Sequence, residues 1–115
     1  MDEITTTGRT KICEAKEGRI QCYHLEPKDV GLPTARLGDL KGGTAEENAK
    51  ITMAILRGEK GPKRDIVLMN AAPPLVACGK AATLQEAVKL AGTVIDSGAA
   101  LEKLDALRRC SQAAV

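Results

Sequence analysis

The periodicity of this chain changes once, near residue 44, and never changes back. Before that point apolar and polar residues alternate, the period of a strand with one buried face; after it apolar residues recur at three and four, the period of a helix. A lone hairpin with one further strand cannot cover four amphipathic helices. In a self-contained α/β domain, strands and helices alternate along the chain. The order found here, strands first and helices after, predicts one end of an α/β domain whose other strands lie upstream.

The strand region runs from about 4 to 25. "EITTTG" is a short β-branched run ending at Gly8. "RTKICEA" places Thr10 and Ile12 on one side and Lys11, Cys13 and Ala15 on the other. "RIQCYHL" then sets Ile20, Cys22 and His24 against Gln21, Tyr23 and Leu25. Between them "KEG" offers a turn with Gly18 where a positive φ is needed, so residues 10–25 are expected to form an antiparallel hairpin turning at Lys16–Gly18. "EPKDVGLPTARLGDLKGG" is dense in Gly and Pro and reads as a long connection with one short helical turn.

Helices are expected over about 44–112. Thr44-x-x-Glu47 is a capping box opening the first, whose apolar residues form two stripes, so that coverage on two sides is expected. Pro62 suits the first turn of the second. Pro73-Pro74 inside that helix predicts a kink or restart near Ala72, because an internal proline removes a backbone bond and clashes with the preceding turn. Thr83-x-x-Glu86 opens the third, with a stripe of Leu84, Ala87, Val88, Ala91, Val94 and Ile95. Ser97-Gly98 ends it, and a last helix runs on Leu101, Leu104 and Leu107.

Composition removes several functions. A net charge of +2 with scattered cations, and Tyr23 as the sole aromatic, leave neither a phosphate-binding patch nor stacking platforms, so nucleic acid is not an expected partner. No apolar run reaches the roughly 20 residues of a membrane span. The first residues carry acids instead of the basic and apolar regions of a signal peptide, and a cytoplasmic location is expected. Without Phe or Trp the core must be built from aliphatic residues and Met, a sign that part of the natural packing surface is missing. Cys13, Cys22, Cys78 and Cys110 show no CxxC spacing, so a zinc site is disfavoured and reduced thiols are the default expectation.

The adjacent carboxylates Asp2 and Glu3 are, taken alone, either solvated terminal charges or the remains of a site in something longer. Gly42-Gly43 reads as a tight turn into the capped helix in preference to a phosphate cradle. Asn48 and Asn70 read as helix-packing polar groups.

Several motifs then agree in order and spacing: "LKGG" at 40–43, "ENA" at 47–49, "GEKGP" at 58–62, "NAA" at 70–72, and "DSGAALEKLDAL" at 96–107. Together they resemble the C-terminal portion of the anthranilate phosphoribosyltransferase family, over essentially the whole chain. The resemblance implies the C-terminal part of a nucleoside-phosphorylase/phosphoribosyltransferase-type α/β domain spanning residues 1–115, with a short strand and an antiparallel hairpin followed by about four helices. It implies membership of a transferase that moves 5-phosphoribosyl from phosphoribosyl diphosphate to anthranilate. It further implies that Asp2 and Glu3 match an acidic pair that helps hold Mg²⁺, a hard cation suited to carboxylate and phosphate oxygens. Met1 would then be an internal residue of a longer enzyme. The family's glycine-rich phosphate loop, its anthranilate pocket and most of its dimerising helical domain precede that pair, so no catalytic residue is assigned in this stretch and the chain alone is expected to be inactive. A homo-oligomer is expected. The contrasting reading is a non-catalytic folding or interaction module.

Overall fold

A computed structural model of the chain describes residues 3–113. Strands β1 (Thr10–Lys16) and β2 (Arg19–Leu25) form a two-stranded antiparallel sheet in which Thr10 faces Leu25 and Lys16 faces Arg19. The loop between them is Glu17-Gly18, with φ of 51° and 74°, as a type I′ turn requires. The expected antiparallel hairpin over residues 10–25 is therefore present, turning where expected. Its inner face carries Ile12, Tyr23 and the buried Leu25; its outer face is exposed.

The residues from Ile4 to Gly8 do not form the expected strand. A strand needs a backbone partner, and here the backbone groups are taken otherwise. The Ile4 N–H donates to Asn70 Oδ1 at 2.9 Å, and Asn70 Nδ2 donates to the Ile4 carbonyl at 2.8 Å. Thr7 N–H turns back onto Thr5 Oγ1 at 3.0 Å. Threonine hydroxyls that capture nearby amides compete with ladder formation in this way.

The connection after β2 holds two 3-10 turns, Pro27–Val30 and Leu37–Leu40, where one was expected. Each is closed by an aspartate three residues past its cap: Asp29 Oδ2 accepts from Glu26 N at 2.8 Å and Asp39 Oδ2 from Arg36 N at 2.9 Å. Four helices follow: α1 (Ala45–Leu56), α2 (Pro62–Ala77), α3 (Leu84–Asp96) and α4 (Ala99–Ala113). The core is the α2–α3 contact, where Leu68, Met69 and Ala72 meet Ala87, Val88, Ala91 and Ile95, with Leu25 and Val30 sealing one end. Ala87, Ala91 and Gly92 keep the facing surface of α3 small, which lets the two backbones approach. Gly92 is buried in that stripe, while Val94, expected there, is 38% exposed.

Two helix expectations are corrected. The restart expected near Ala72 does not occur, since α2 is one continuous helix from Pro62 to Ala77 with Pro73 and Pro74 inside it. Pro73 and Pro74 each remove one backbone bond from the helix, and packing of Met69 and Ala72 on α3 holds it there. α1 is not covered on two sides: none of its residues is buried, and Ile51, Met53, Ile55 and Leu56 stay half-exposed. The expectation of reduced thiols also fails for two cysteines. The register sets Cys13 opposite Cys22 with Cα atoms 4.1 Å apart, and their sulfurs are bonded. Cys78 and Cys110 are free and exposed.

Candidate functional site

The residues proposed from sequence to hold a metal sit at the start of the described chain. Glu3 is exposed; Asp2 lies outside the described residues. What the structure does show is how the segment behind them is fixed. Ile4 is clamped by Asn70 of α2, and Thr5 N–H donates to Thr10 Oγ1 at 3.2 Å. Thr6 is fully buried, and its carbonyl accepts from Ala35 N–H at 2.9 Å. The Thr6 hydroxyl has no hydrogen-bond partner among the described residues. Glu3 therefore projects from a segment held both to α2 and to the 27–35 connection.

The donor chemistry fits magnesium: a carboxylate oxygen is a hard ligand, and Mg²⁺ keeps waters or takes substrate phosphates in its remaining positions. No cage is completed here. Among the described residues no group of three or more His, Cys, Asp or Glu side chains converges on one point.

A concavity of about 470 Å³ lies between α1 and the start of α2, and its lining includes Lys50, Ile51, Ile55, Lys60, Lys63 and Arg64. Its cations suggest an anion site, but they are engaged. Lys50 pairs with Glu46 at 2.8 Å, and Lys63 Nζ donates to the Lys41 carbonyl. Arg64 is 4% exposed and grips Asp96 with two bonds, Nη1 to Oδ1 at 2.7 Å and Nη2 to Oδ2 at 3.0 Å. Lys60 adds a contact to the same carboxylate at 2.9 Å. The Arg64 guanidinium, and after it Lys60, hold the Asp96 carboxyl down at about 2. This ion cluster ties α2 to the end of α3, and the carboxylates of Asp39 and Glu59 add further negative charge to the lining of the groove.

Sequence reading misses that cluster. Its signal is present, in the Lys60 and Arg64 around Pro62 and in the aspartate of "DSG", but Arg64 and Asp96 are 32 residues apart and nothing local pairs them. The glycine pair behaves as expected. Gly43 N–H donates to Asn48 Oδ1 at 2.9 Å, Thr44 N–H to Glu47 Oε2 at 2.7 Å, and Glu47 N–H to Thr44 Oγ1 at 3.3 Å, so the amides opening α1 are occupied by the chain itself. The bond from the Thr44 N–H holds the Glu47 carboxyl below its usual range. The second capping box is partial: Thr83 Oγ1 accepts from Glu86 N–H at 3.2 Å, but Glu86 Oε2 accepts from Ala82, not Thr83.

Comparison with known proteins places this architecture. A crystal structure of anthranilate phosphoribosyltransferase from Thermus thermophilus superimposes with a TM-score of 0.82 at 40% identity, over 91% of this chain and 31% of that one. The anthranilate phosphoribosyltransferase of Moorella thermoacetica is 54% identical over 107 residues, which cover 93% of this chain and 32% of the relative. That of Methanobrevibacter smithii is 44% identical over 105 residues, again 31% of its length. The chain thus spans about a third of the relatives it matches. No described helix is long and apolar enough to cross a membrane. The model of the glycosyl transferase family, a/b domain, matches residues 1–101, and the chain belongs to that family.

Proposed function

We propose that these 115 residues form the C-terminal segment of an anthranilate phosphoribosyltransferase, the part that supplies Asp2 and Glu3 to magnesium. The observation that carries this reading is the colinear match at 54% identity, continuous over 93% of the chain and confined to 32% of the relative. When bound, magnesium would neutralise the pyrophosphate leaving from phosphoribosyl diphosphate. The role of this chain's own residues is positional. Asn70 and Thr6 fix the segment that carries the acidic pair, and the Arg64–Asp96–Lys60 cluster fixes α2, on which Asn70 stands. The phosphoribosyl and anthranilate pockets would be completed by residues equivalent to the other two-thirds of the relatives, so the segment alone would not turn over.

Exposed area supports the same reading. A compact monomer of 12.1 kDa exposes about 6,000 Å², whereas this chain exposes 8017 Å². The difference, about 2,000 Å² on this one partner, is of the size that each side of a large obligate interface removes from water.

The test is to mix the purified chain with a separately produced polypeptide equivalent to the preceding two-thirds of the Moorella relative and follow consumption of anthranilate by its fluorescence. Neither piece alone should consume anthranilate, and the mixture should do so in the presence of phosphoribosyl diphosphate and Mg²⁺. A mixture that associates but stays inactive, or two folded pieces that ignore each other, would instead favour a non-catalytic interaction module.

A further inference from the structure

The hairpin carries a chemical group that metal and substrate handling leave unused. A two-residue loop makes Lys16 and Arg19 a hydrogen-bonded pair, and pair types alternate from there along an antiparallel ladder. Counting back, Ala15–Ile20 is non-hydrogen-bonded, Glu14–Gln21 is hydrogen-bonded, and Cys13–Cys22 is non-hydrogen-bonded. Non-hydrogen-bonded sites are the narrow ones, and the Cα separation of 4.1 Å shows it. Turn chemistry alone therefore brings the two sulfurs together.

Three further observations show what the pair could do. Both cysteines are exposed, on the face away from Ile12, Tyr23 and Leu25, so a dissolved thiol can reach them. Among the described residues the sheet has two strands, and a two-stranded hairpin by itself is marginal in water. The remaining cysteines, Cys78 on the end of α2 and Cys110 on α4, are unpaired.

We infer that Cys13 and Cys22 form a reversible thiol–disulfide exchange site through which surrounding low-molecular-weight thiols set the order of the hairpin. In the oxidising direction one cysteine thiolate attacks a sulfur of glutathione disulfide. The S–S bond of that reagent breaks, and one glutathione thiolate leaves. The second cysteine thiolate then attacks the protein sulfur of the mixed disulfide and expels the second glutathione. The two protons lost by the cysteines end on the two glutathiones formed, and two electrons pass to the reagent. Reduction is the reverse, with two glutathiones consumed. Exposed disulfides are the labile ones in such exchange, and the opposed strands hold the second sulfur where it can resolve the mixed disulfide.

The test equilibrates the full chain in glutathione buffers from fully reduced to fully oxidised, quenches with acid, and counts maleimide adducts by intact mass. Four maleimide adducts per chain are expected at the reducing end; at the oxidising end Cys13 and Cys22 should together carry neither maleimide nor glutathione, while the exposed Cys78 and Cys110 each take up one glutathione. Deuterium exchange of amides 10–25 should accelerate at least tenfold on reduction, while α3 amides keep their protection. The Cys13→Ser/Cys22→Ser variant should show the fast exchange in every buffer. Cys13 and Cys22 alkylated in every buffer, bonded to each other in every buffer, or capped by one glutathione each at the oxidising end, or hairpin exchange equal at both ends, would each overturn the inference. Protection of α3 reports whether the variant has folded, and the wild-type comparison stands without it.

Discussion

Asn70 and Ile4 are 66 residues apart and share two hydrogen bonds, the side-chain amide of Asn70 accepting from the Ile4 N–H and donating to its carbonyl. A carboxamide carries a donor and an acceptor in one plane, as a peptide unit does, so Asn70 stands in for one residue of a neighbouring strand. Asn48 repeats the device on Gly43, accepting from its N–H at 2.9 Å and donating to its carbonyl at 3.1 Å. Each asparagine ties a helix to a segment with no regular structure of its own.

Replacing Asn70 by Ala should therefore release the segment that carries Glu3 without unfolding the core. Two half-buried backbone groups lose partners, at a cost of about 1–2 kcal/mol. Hydrogen exchange at the Ile4 amide should accelerate about tenfold while Met69 and Val88 stay protected. An Ile4 amide that exchanges as in the wild type would show that the clamp contributes nothing.

Acid should loosen the α2–α3 junction over a defined range. The Asp96 carboxyl is depressed from 3.8 to about 2 by Arg64 and Lys60. A depressed carboxyl contributes stability that is complete above its unfolded pKa and is lost as pH falls through the folded one. The melting temperature of the wild type should therefore be insensitive to this group above about pH 4 and should fall between pH 4 and 2. Asp96→Asn should melt lower at pH 7, because it leaves the buried Arg64 without a counter-charge, and should converge on the wild type toward pH 2. Parallel curves at every pH would remove Asp96 as the cause. Asp39 and Glu47, also depressed, titrate in both proteins and cancel in the comparison.

Much of this architecture is legible in the sequence because its determinants are local. The hairpin follows from alternation on either side of Glu17-Gly18, and three helix starts from Thr44, Pro62 and Thr83, all within a few residues of the structure they specify. What escapes such reading depends on partners far along the chain. The β-branched run at Ile4 has strand propensity, but propensity without a neighbouring strand yields to side-chain capture by Asn70 and Thr5. Pro73-Pro74 has the local character of a break, and burial of Met69 and Ala72 against α3 overrides it. The bond between Cys13 and Cys22 follows from the register that the two-residue Glu17-Gly18 loop sets; motif spacing hides it, and cross-strand position reveals it. The acidic pair is legible only through resemblance, since two carboxylates in sequence have no pattern of their own.

The glycine pair gives a sharp mutational test. A Cβ on Gly43 would collide with the Glu47 carboxylate that accepts from Thr44 N–H. Gly43→Ala should push Glu47 aside, lose half of the capping box and destabilise the chain by roughly 0.5–2 kcal/mol. The Thr44 amide should lose protection, while the hairpin amides remain unchanged. Gly38→Ala, where an added Cβ meets nothing, is the control and should be near neutral. If the two variants melt alike, steric exclusion at residue 43 is not what selects glycine.

Magnesium should bind the chain weakly. Asp2 and Glu3 would offer one or two carboxylate ligands, and among the described residues no three His, Cys, Asp or Glu side chains converge to complete a cage. A site that leaves most positions to water binds in the millimolar range. Calorimetric titration without phosphoribosyl diphosphate should show little heat below that concentration. Sub-micromolar affinity would mean that a cage exists elsewhere and that the acidic pair is not the metal's main support.

The isolated chain should associate with itself. Ile20 is 76% exposed, Leu107 64% and Val67 41%, and α1 leaves Ile51, Met53, Ile55 and Leu56 half-covered. The radius of gyration is 15.4 Å, against about 13 Å for a compact domain of this length. Both outer edges of the two-stranded sheet lack a strand neighbour among the described residues, and open edges recruit other chains. Uncovered apolar faces do the same. These surfaces belong to separate elements, the hairpin on one hand and α1 and α4 on the other, so association by one leaves the other free and favours growth beyond a dimer. Sedimentation velocity at micromolar concentration should show species larger than 12.1 kDa that dissociate on dilution, with a broad melt whose midpoint rises with concentration. Added polypeptide equivalent to the preceding two-thirds of the Moorella relative should suppress that self-association by covering the same faces. A monomer with a sharp, concentration-independent melt would show that these residues close their own core, and the proposal that they are one segment of a larger domain would have to be withdrawn.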